Sequence, residues 1–159
     1  MPRQSKPMRL FYHPASSASM RVTLYLRCCG VPASQVELVS TGLETDHRGI
    51  LVFTMPEGDV ETEKVGTTDL TAFNPEGRIP VLLLADGRML TQSGPIVDFI
   101  EETLVQEPGM LPEDAWARAE VRRIMWIIAA DTQPYQNIPS IIQAMGEWGM
   151  IKAPPTVHP

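Results

Sequence analysis

The stretch Ile79–Leu90, IPVLLLADGRML, leaves the chain few choices. Residues 81–85 are a continuous apolar run, and a strand apolar on both sides has to be covered on both faces. Asp86-Gly87 supplies two residues suited to a tight hairpin turn, so residues 88–90 return as the antiparallel partner. Helices have to supply the covering layers. One precedes the run: Val22, Tyr25, Leu26 and Cys29 recur at i, i+3, i+4 and i+7, and Gly30 and Pro32 end it. The other follows directly in SGPIVDFIEETLVQ. There Ser93 reads as the N-cap, Pro95 sits in the first turn, and Asp98 suits the positive helix end. Ile96, Val97, Ile100 and Leu104 make its apolar stripe.

Two further strands are expected, MRLFYH over residues 8–13 and SQVELVS, where Val36 and Leu38 alternate with polar neighbours. The order is then β-α-β, a connection, and β-β-α. This predicts an α/β fold: a mixed sheet with helices on its faces, compatible with a thioredoxin-like domain over residues 7–106. The connection, 41–68, reads as an extended mobile loop, with a hairpin as an option and a short strand at 50–55. A brief helix at 69–73 closes in NPEG. After the linker EPGMLPED, residues Ala117, Val121, Ile124, Met125 and Ile128 give a helical stripe that Pro134 interrupts. Residues 107–159 thus read as an incomplete all-α domain.

Charge and composition narrow the class. Thirteen Lys and Arg stand against nineteen Asp and Glu, for a net charge of −6, and no basic stripe is present. Nucleic acid is therefore not expected as a partner. No apolar run reaches the length of a signal peptide or a membrane span, so no membrane partner is expected and the cytoplasm is the expected compartment. Cys28 and Cys29 are adjacent on a helix, where an ordinary disulfide between them is out of reach. His13, His47 and His158 are scattered without ligand spacing, and no metal is expected.

Three serines, Ser16, Ser17 and Ser19, crowd the mouth of the first helix, with Arg21 one turn on. A helix start exposes unpaired N–H groups and the positive end of the dipole. Such a cluster caps the helix or holds an anion, and the two uses are compatible. A thiolate placed there would be stabilised by dipole, hydroxyls and guanidinium together.

SSASMRVTLYLRCCGV resembles the Ser-Ser-Cys-x-Trp-Arg-Val motif of zeta-class glutathione transferases, the maleylacetoacetate isomerase family. NPEGRIPVLLLADGRMLTQSGPIVDFIEET is similar to that family's Asn-Pro-x-x-x-Val-Pro-x-Leu and Gln-Ser-x-x-Ile segments, and LPEDAWARAEVRRIMWIIAADTQPYQNI to the first helix of its second domain. The resemblance implies glutathione as cofactor and a small-molecule substrate. It assigns Ser16 to activation of the glutathione thiol, with Ser17 and Arg21 flanking it. Ile79, before a cis Pro80, would bond the glutathione cysteine backbone, and Gln92 and Ser93 the γ-glutamyl carboxylate. Gln133 and Asn137 match positions that reach toward glutathione, or else they satisfy backbone opened by Pro134.

The implied reaction is cis–trans isomerisation of maleylacetoacetate in tyrosine and phenylalanine breakdown: thiolate addition, bond rotation and thiolate expulsion. General glutathione transfer is the related activity. The other class of reading is a glutathione-binding module lacking a substrate wall. Ala18 and Met20 replace the family's cysteine and tryptophan, and Pro139 replaces a serine. The family's second domain is a bundle of several helices. This chain carries about the first of them and reads as truncated, with a homodimer expected for a complete bundle.

Overall fold

The computed structural model describes residues 6–47, 49, 51–106 and 109–133. Four strands form one sheet: β1 (Met8–Tyr12), β2 (Val36–Ser40), β5 (Val81–Leu83) and β6 (Met89–Thr91), in the order β2-β1-β5-β6. Helix α1 (Ser17–Cys28) links β1 to its parallel neighbour β2, and β5 and β6 form the expected antiparallel hairpin. Helix α3 (Ser93–Thr103) follows β6. This is the thioredoxin-like arrangement expected from the strand and helix signals.

The register aligns the strand ends. Phe11 pairs with Val39 on one side and Val81 on the other, and Val81 pairs with Thr91. Phe11 and Val39 lie near the C-terminal ends of β1 and β2, Val81 opens β5, and Thr91 closes β6. The approach to α1, the Ile79–Pro80 turn and the head of α3 therefore meet at one sheet edge.

Alternation along β1 separates two cores. Leu10 faces α1 and α3, packing with Val22, Leu26, Val36, Leu82, Ile96, Val97 and Ile100. Phe11 faces the opposite side, packing with Met55, Leu70, Phe73, Ile79, Val81 and Leu83. Ile96 and Ile100 are fully buried, as their stripe requires, whereas Tyr25 and Cys29 on α1 are half-buried. Tyr25 donates its hydroxyl to Glu101 across the α1–α3 seam, and the Leu111 N–H donates to the same carboxylate at 2.7 Å. Burial, first, and this bond push the tyrosine pKa well above its ordinary value.

About half of the connection 41–68 is secondary structure, including the hairpin left as an option and the strand expected at 50–55, where an extended loop was expected overall. Strands β3 (Gly42–Thr45) and β4 (Leu51–Thr54) form an antiparallel hairpin apart from the main sheet, and a short helix α2 (Val60–Val65) follows. A single 3-10 turn, Leu70–Ala72, stands at the expected brief helix. Helix α2 escapes a periodicity search because Thr62 alone is buried while Val60 and Val65 are exposed. Its ends are nonetheless marked, by the Asp59 cap and by Gly66 at φ 73°. Helix α4 (Ala115–Ile127) continues into a π-turn at Ile128–Thr132, just ahead of Pro134 in sequence. None of its residues is buried, so the sequence stripe there is only partly covered, chiefly through Met125.

Arg9, almost fully buried on β1, reaches α2. Its guanidinium forks onto both Asp59 carboxylate oxygens, Nη1 at 3.0 Å, and lies 5.0 Å above the Phe11 ring. The Arg9 bond foremost, with the Glu61 N–H and nearby positive charge, holds the Asp59 carboxyl below its ordinary 3.8. A depressed carboxyl contributes its stability above the unfolded pKa and loses it as pH falls through the folded one. Asp59→Asn is expected to cost about 1.5–3 kcal/mol near neutrality, the range for a hydrogen bond to a charged group. Urea melts at falling pH should show wild type and variant converging below pH ~4.

Candidate functional site

The aligned edge opens into a cleft of about 600 Å³. Ser16, Ser17 and Arg21 line it from α1, Ile79 and Pro80 from the turn, Gln92 and Ser93 from α3, and Gln133 from beyond α4. Seven of the eight residues assigned by sequence thus share one cleft. The eighth, Asn137, lies outside the described residues.

Ser16 is the N-cap of α1, its Oγ accepting from the Ser19 N–H at 3.2 Å. A hydroxyl acting as acceptor keeps its own proton to donate. Ser17 is exposed at the first helical position, and Ser19 is turned wholly inward at 0% exposure. The serine cluster therefore divides its work between cleft and core.

Arg21 bridges elements far apart in the chain. Nη1 donates to Ser93 Oγ at 2.7 Å and Nη2 to Gln133 Oε1 at 2.9 Å. Burial lowers its pKa from the ordinary arginine value, and it remains a cation. Its charge lies at the head of α3 rather than being spent on Ser16.

Ser93, 5% exposed, is the first residue of α3 and not its cap, which corrects the expectation. Gln92 holds the cap position with φ 70°, a left-handed value uncommon for a side-chain-bearing residue, and makes no side-chain cap bond. Its Nε2 donates instead to Glu76 Oε2 at 2.6 Å. The first-turn N–H groups of α3 thus lack a side-chain cap. With the Ser93 hydroxyl and Arg21 beside them they form an anion-accepting corner, and the Glu76 carboxylate stands next to it.

The Ile79–Pro80 peptide bond is cis, as the resemblance implied, and Ile79 is buried. Asn74 braces this turn: its Nδ2 donates to the Arg78 carbonyl at 2.7 Å and its Oδ1 accepts from the Glu76 N–H at 3.2 Å. Sequence reasoning missed Asn74 and Glu76 as site residues, although the Asn-Pro-x-Gly turn was the available signal. It also missed Leu51, Val52 and Phe53 of β4, which line the same cleft.

A family model described as the glutathione S-transferase N-terminal domain matches residues 15–103. The chain belongs to this family. Among curated relatives, the maleylacetoacetate isomerase of Mus musculus is 33% identical over 142 residues, covering 89% of this chain and 56% of the relative. That of Pseudomonas aeruginosa is 27% identical over 139 residues, covering 87% and 55%. Among solved structures, the maleylacetoacetate isomerase of Methylobacterium extorquens AM1, with bound malonate and glutathione, matches at 29% identity and TM-score 0.61, over 90% of this chain and 56% of that one. The enzyme of Anaeromyxobacter dehalogenans 2CP-1, with glutathione in its active site, matches at 30% and 0.58, over 91% and 58%. The chain spans about half the length of the curated relatives it matches.

The Arg21 fork connects α1, α3 and the π-turn. Arg21→Met should lower stability by about 1.5–3 kcal/mol, and amide exchange in residues 128–133 should accelerate more than in α1 itself. Hydrogen-exchange mass spectrometry checks this; equal acceleration everywhere would argue against the fork as the tie.

Proposed function

We propose that the cleft binds glutathione and that the chain carries the glutathione-dependent half of a maleylacetoacetate isomerase. The first domain, residues 7–106, would supply the glutathione site and residues 107–159 the start of the helical domain. The observation carrying this reading is the meeting, in one cleft, of the Ser16 hydroxyl, the cis Ile79–Pro80 turn and the uncapped head of α3 with Ser93 and Arg21.

The donor set suits the tripeptide. A γ-glutamyl carboxylate matches the α3 N–H groups, the Ser93 hydroxyl and the Arg21 cation. The adjoining ammonium matches Glu76, whose hydrogen-bond partner Gln92 is neutral. The Ile79 backbone N–H and C=O, next to the cis proline, suit a peptide group. The cap bond to Ser19 fixes the Ser16 rotamer, so its O–H can be given to an anionic sulfur at the positive end of α1. Bound glutathione would supply a reversible sulfur nucleophile for addition to a cis double bond. The chain's contribution is to hold the thiolate charged at neutral pH.

The substrate we assign, maleylacetoacetate, places the reaction in tyrosine and phenylalanine breakdown in the cytoplasm. One observation favours a second reading, a glutathione-binding module without turnover: no residue of α4 is buried. Retention on immobilised glutathione together with isomerase turnover supports the enzyme, whereas retention alone supports the module.

Two substitutions test the site. Ser16→Ala should cut turnover at least ~10-fold and shift the ultraviolet thiolate absorbance of bound glutathione to higher pH. An unmoved absorbance titration would remove Ser16 from that role. Ser93→Ala should weaken glutathione binding by about 1–3 kcal/mol in titration calorimetry, and equal affinity would leave Ser93 a purely structural residue.

A further inference from the structure

His13 does not line the cleft, yet it holds the last turn of chain before Ser16. Pro14 and Ala15 alone separate the two residues, and both are exposed, so packing does not fix this crossing from β1 to α1. Hydrogen bonds do. Pro14 has no N–H to offer. The Ala15 N–H donates to His13 Nδ1 at 3.1 Å, and the Ser16 N–H donates to the His13 carbonyl at 2.9 Å. Both N–H groups that the crossing presents are therefore taken by His13 itself.

A ring of bonds carries this turn to the Ser16 hydroxyl. The His13 N–H donates to Ser19 Oγ at 3.5 Å, the longest of the three links. The Ser19 N–H donates to Ser16 Oγ at 3.2 Å, and the Ser16 N–H returns to the His13 carbonyl. Ser19 is fully buried, which pins the ring to the core at that corner. The place of Ser16 Oγ thus follows from the turn at His13.

The imidazole is oriented from its other side. Its centroid stands 5.5 Å from that of Phe53, with the two rings tilted by 49°, and Phe53 packs against the Phe11 core. Because Nδ1 accepts, the ring proton sits on Nε2. Cβ, Cγ and Nδ1 of histidine follow the same path as Cβ, Cγ and Oδ1 of asparagine, which closes a turn on the N–H two residues on.

Resting on the glutathione reading above, we propose that His13 is a positioning residue for thiol activation: through Nδ1 it sets where the Ser16 hydroxyl meets the glutathione sulfur. It acts only through Ser16. A shift of about 1 Å in that hydroxyl is enough to spoil a reacting geometry.

Ultraviolet titration of the thiolate of bound glutathione tests this. His13→Phe keeps a ring beside Phe53 and loses the acceptor. The bound thiolate should then form at higher pH, by about half or more of the displacement that Ser16→Ala causes. His13→Asn restores an acceptor on the same atom path and should return the titration to that of the wild type. The double variant His13→Phe/Ser16→Ala should titrate with Ser16→Ala alone, because both changes remove one interaction. S-methylglutathione, whose sulfur has no proton to lose, should bind the wild type and His13→Phe within about twofold in calorimetry. Circular dichroism checks folding, and His13→Gln, with its acceptor one bond further out, replaces His13→Phe if that variant does not fold.

An unmoved titration in His13→Phe, no recovery in His13→Asn, or a further displacement in the double variant overturns the assignment. A matching loss of S-methylglutathione affinity does so too, since His13 would then brace the whole cleft. A Ser16→Ala protein that titrates like the wild type removes both serine and histidine from thiol activation while glutathione still binds. Failure of the wild type to bind glutathione overturns the reading above and this inference with it.

Discussion

The pairing of Phe11 with Val39 and Val81, and of Val81 with Thr91, is the constraint on which the site depends. A one-residue slip of β5 would turn Leu82 away from α1 and α3 and put Val81 in its place. Both faces of this strand are buried, so neither register error has anywhere to hide. The same pairing sets three chain reversals side by side, each leading into a helix start or a proline turn. Site geometry is thus inherited from core packing, as it is wherever ligands lie beyond the carboxyl ends of parallel strands.

Polar contacts then refine what the sheet has aligned. Arg21 spans 72 residues to Ser93 and 112 to Gln133, so a single guanidinium reads the positions of α3 and of the segment after α4. Arg9 does comparable work behind the sheet, joining β1 to the cap of α2. The planar fork of arginine suits both tasks, because it offers several fixed donors to acceptors on different elements. The cleft therefore has a stiff polar corner, while α4 is attached through few buried contacts.

How far these features could be read from the chain differs by element. Strands β1 and β5 and helices α1 and α3 were legible because a two-sided core imposes period and apolar runs upon them. Ser16, Gln92 and Ser93 were legible as residues at strand-to-helix junctions, with the family resemblance to assign them. Helix α2 was not, since Val60 and Val65 point outward, and the β3–β4 hairpin was legible only as an option with a strand at 50–55, since β3 has no buried residue. The Gln92–Glu76 bond was equally hidden: it joins positions 16 residues apart through a turn whose path is set by buried Asn74. Ser93 was displaced by one position, from cap to first helical residue, because the backbone at Gln92 adopts a conformation its residue type does not announce.

That backbone has a longer consequence. A φ of 70° at Gln92 carries strain on the order of 1–3 kcal/mol, which glycine would relieve. Glycine would also strip Glu76 of the amide that holds it at the cleft. If the cleft binds the ligand proposed above, selection for heat resistance and selection for ligand discrimination pull position 92 in opposite directions. A thermostabilised descendant of this chain carrying glycine there would keep its shape and leave the Glu76 carboxylate without its amide partner.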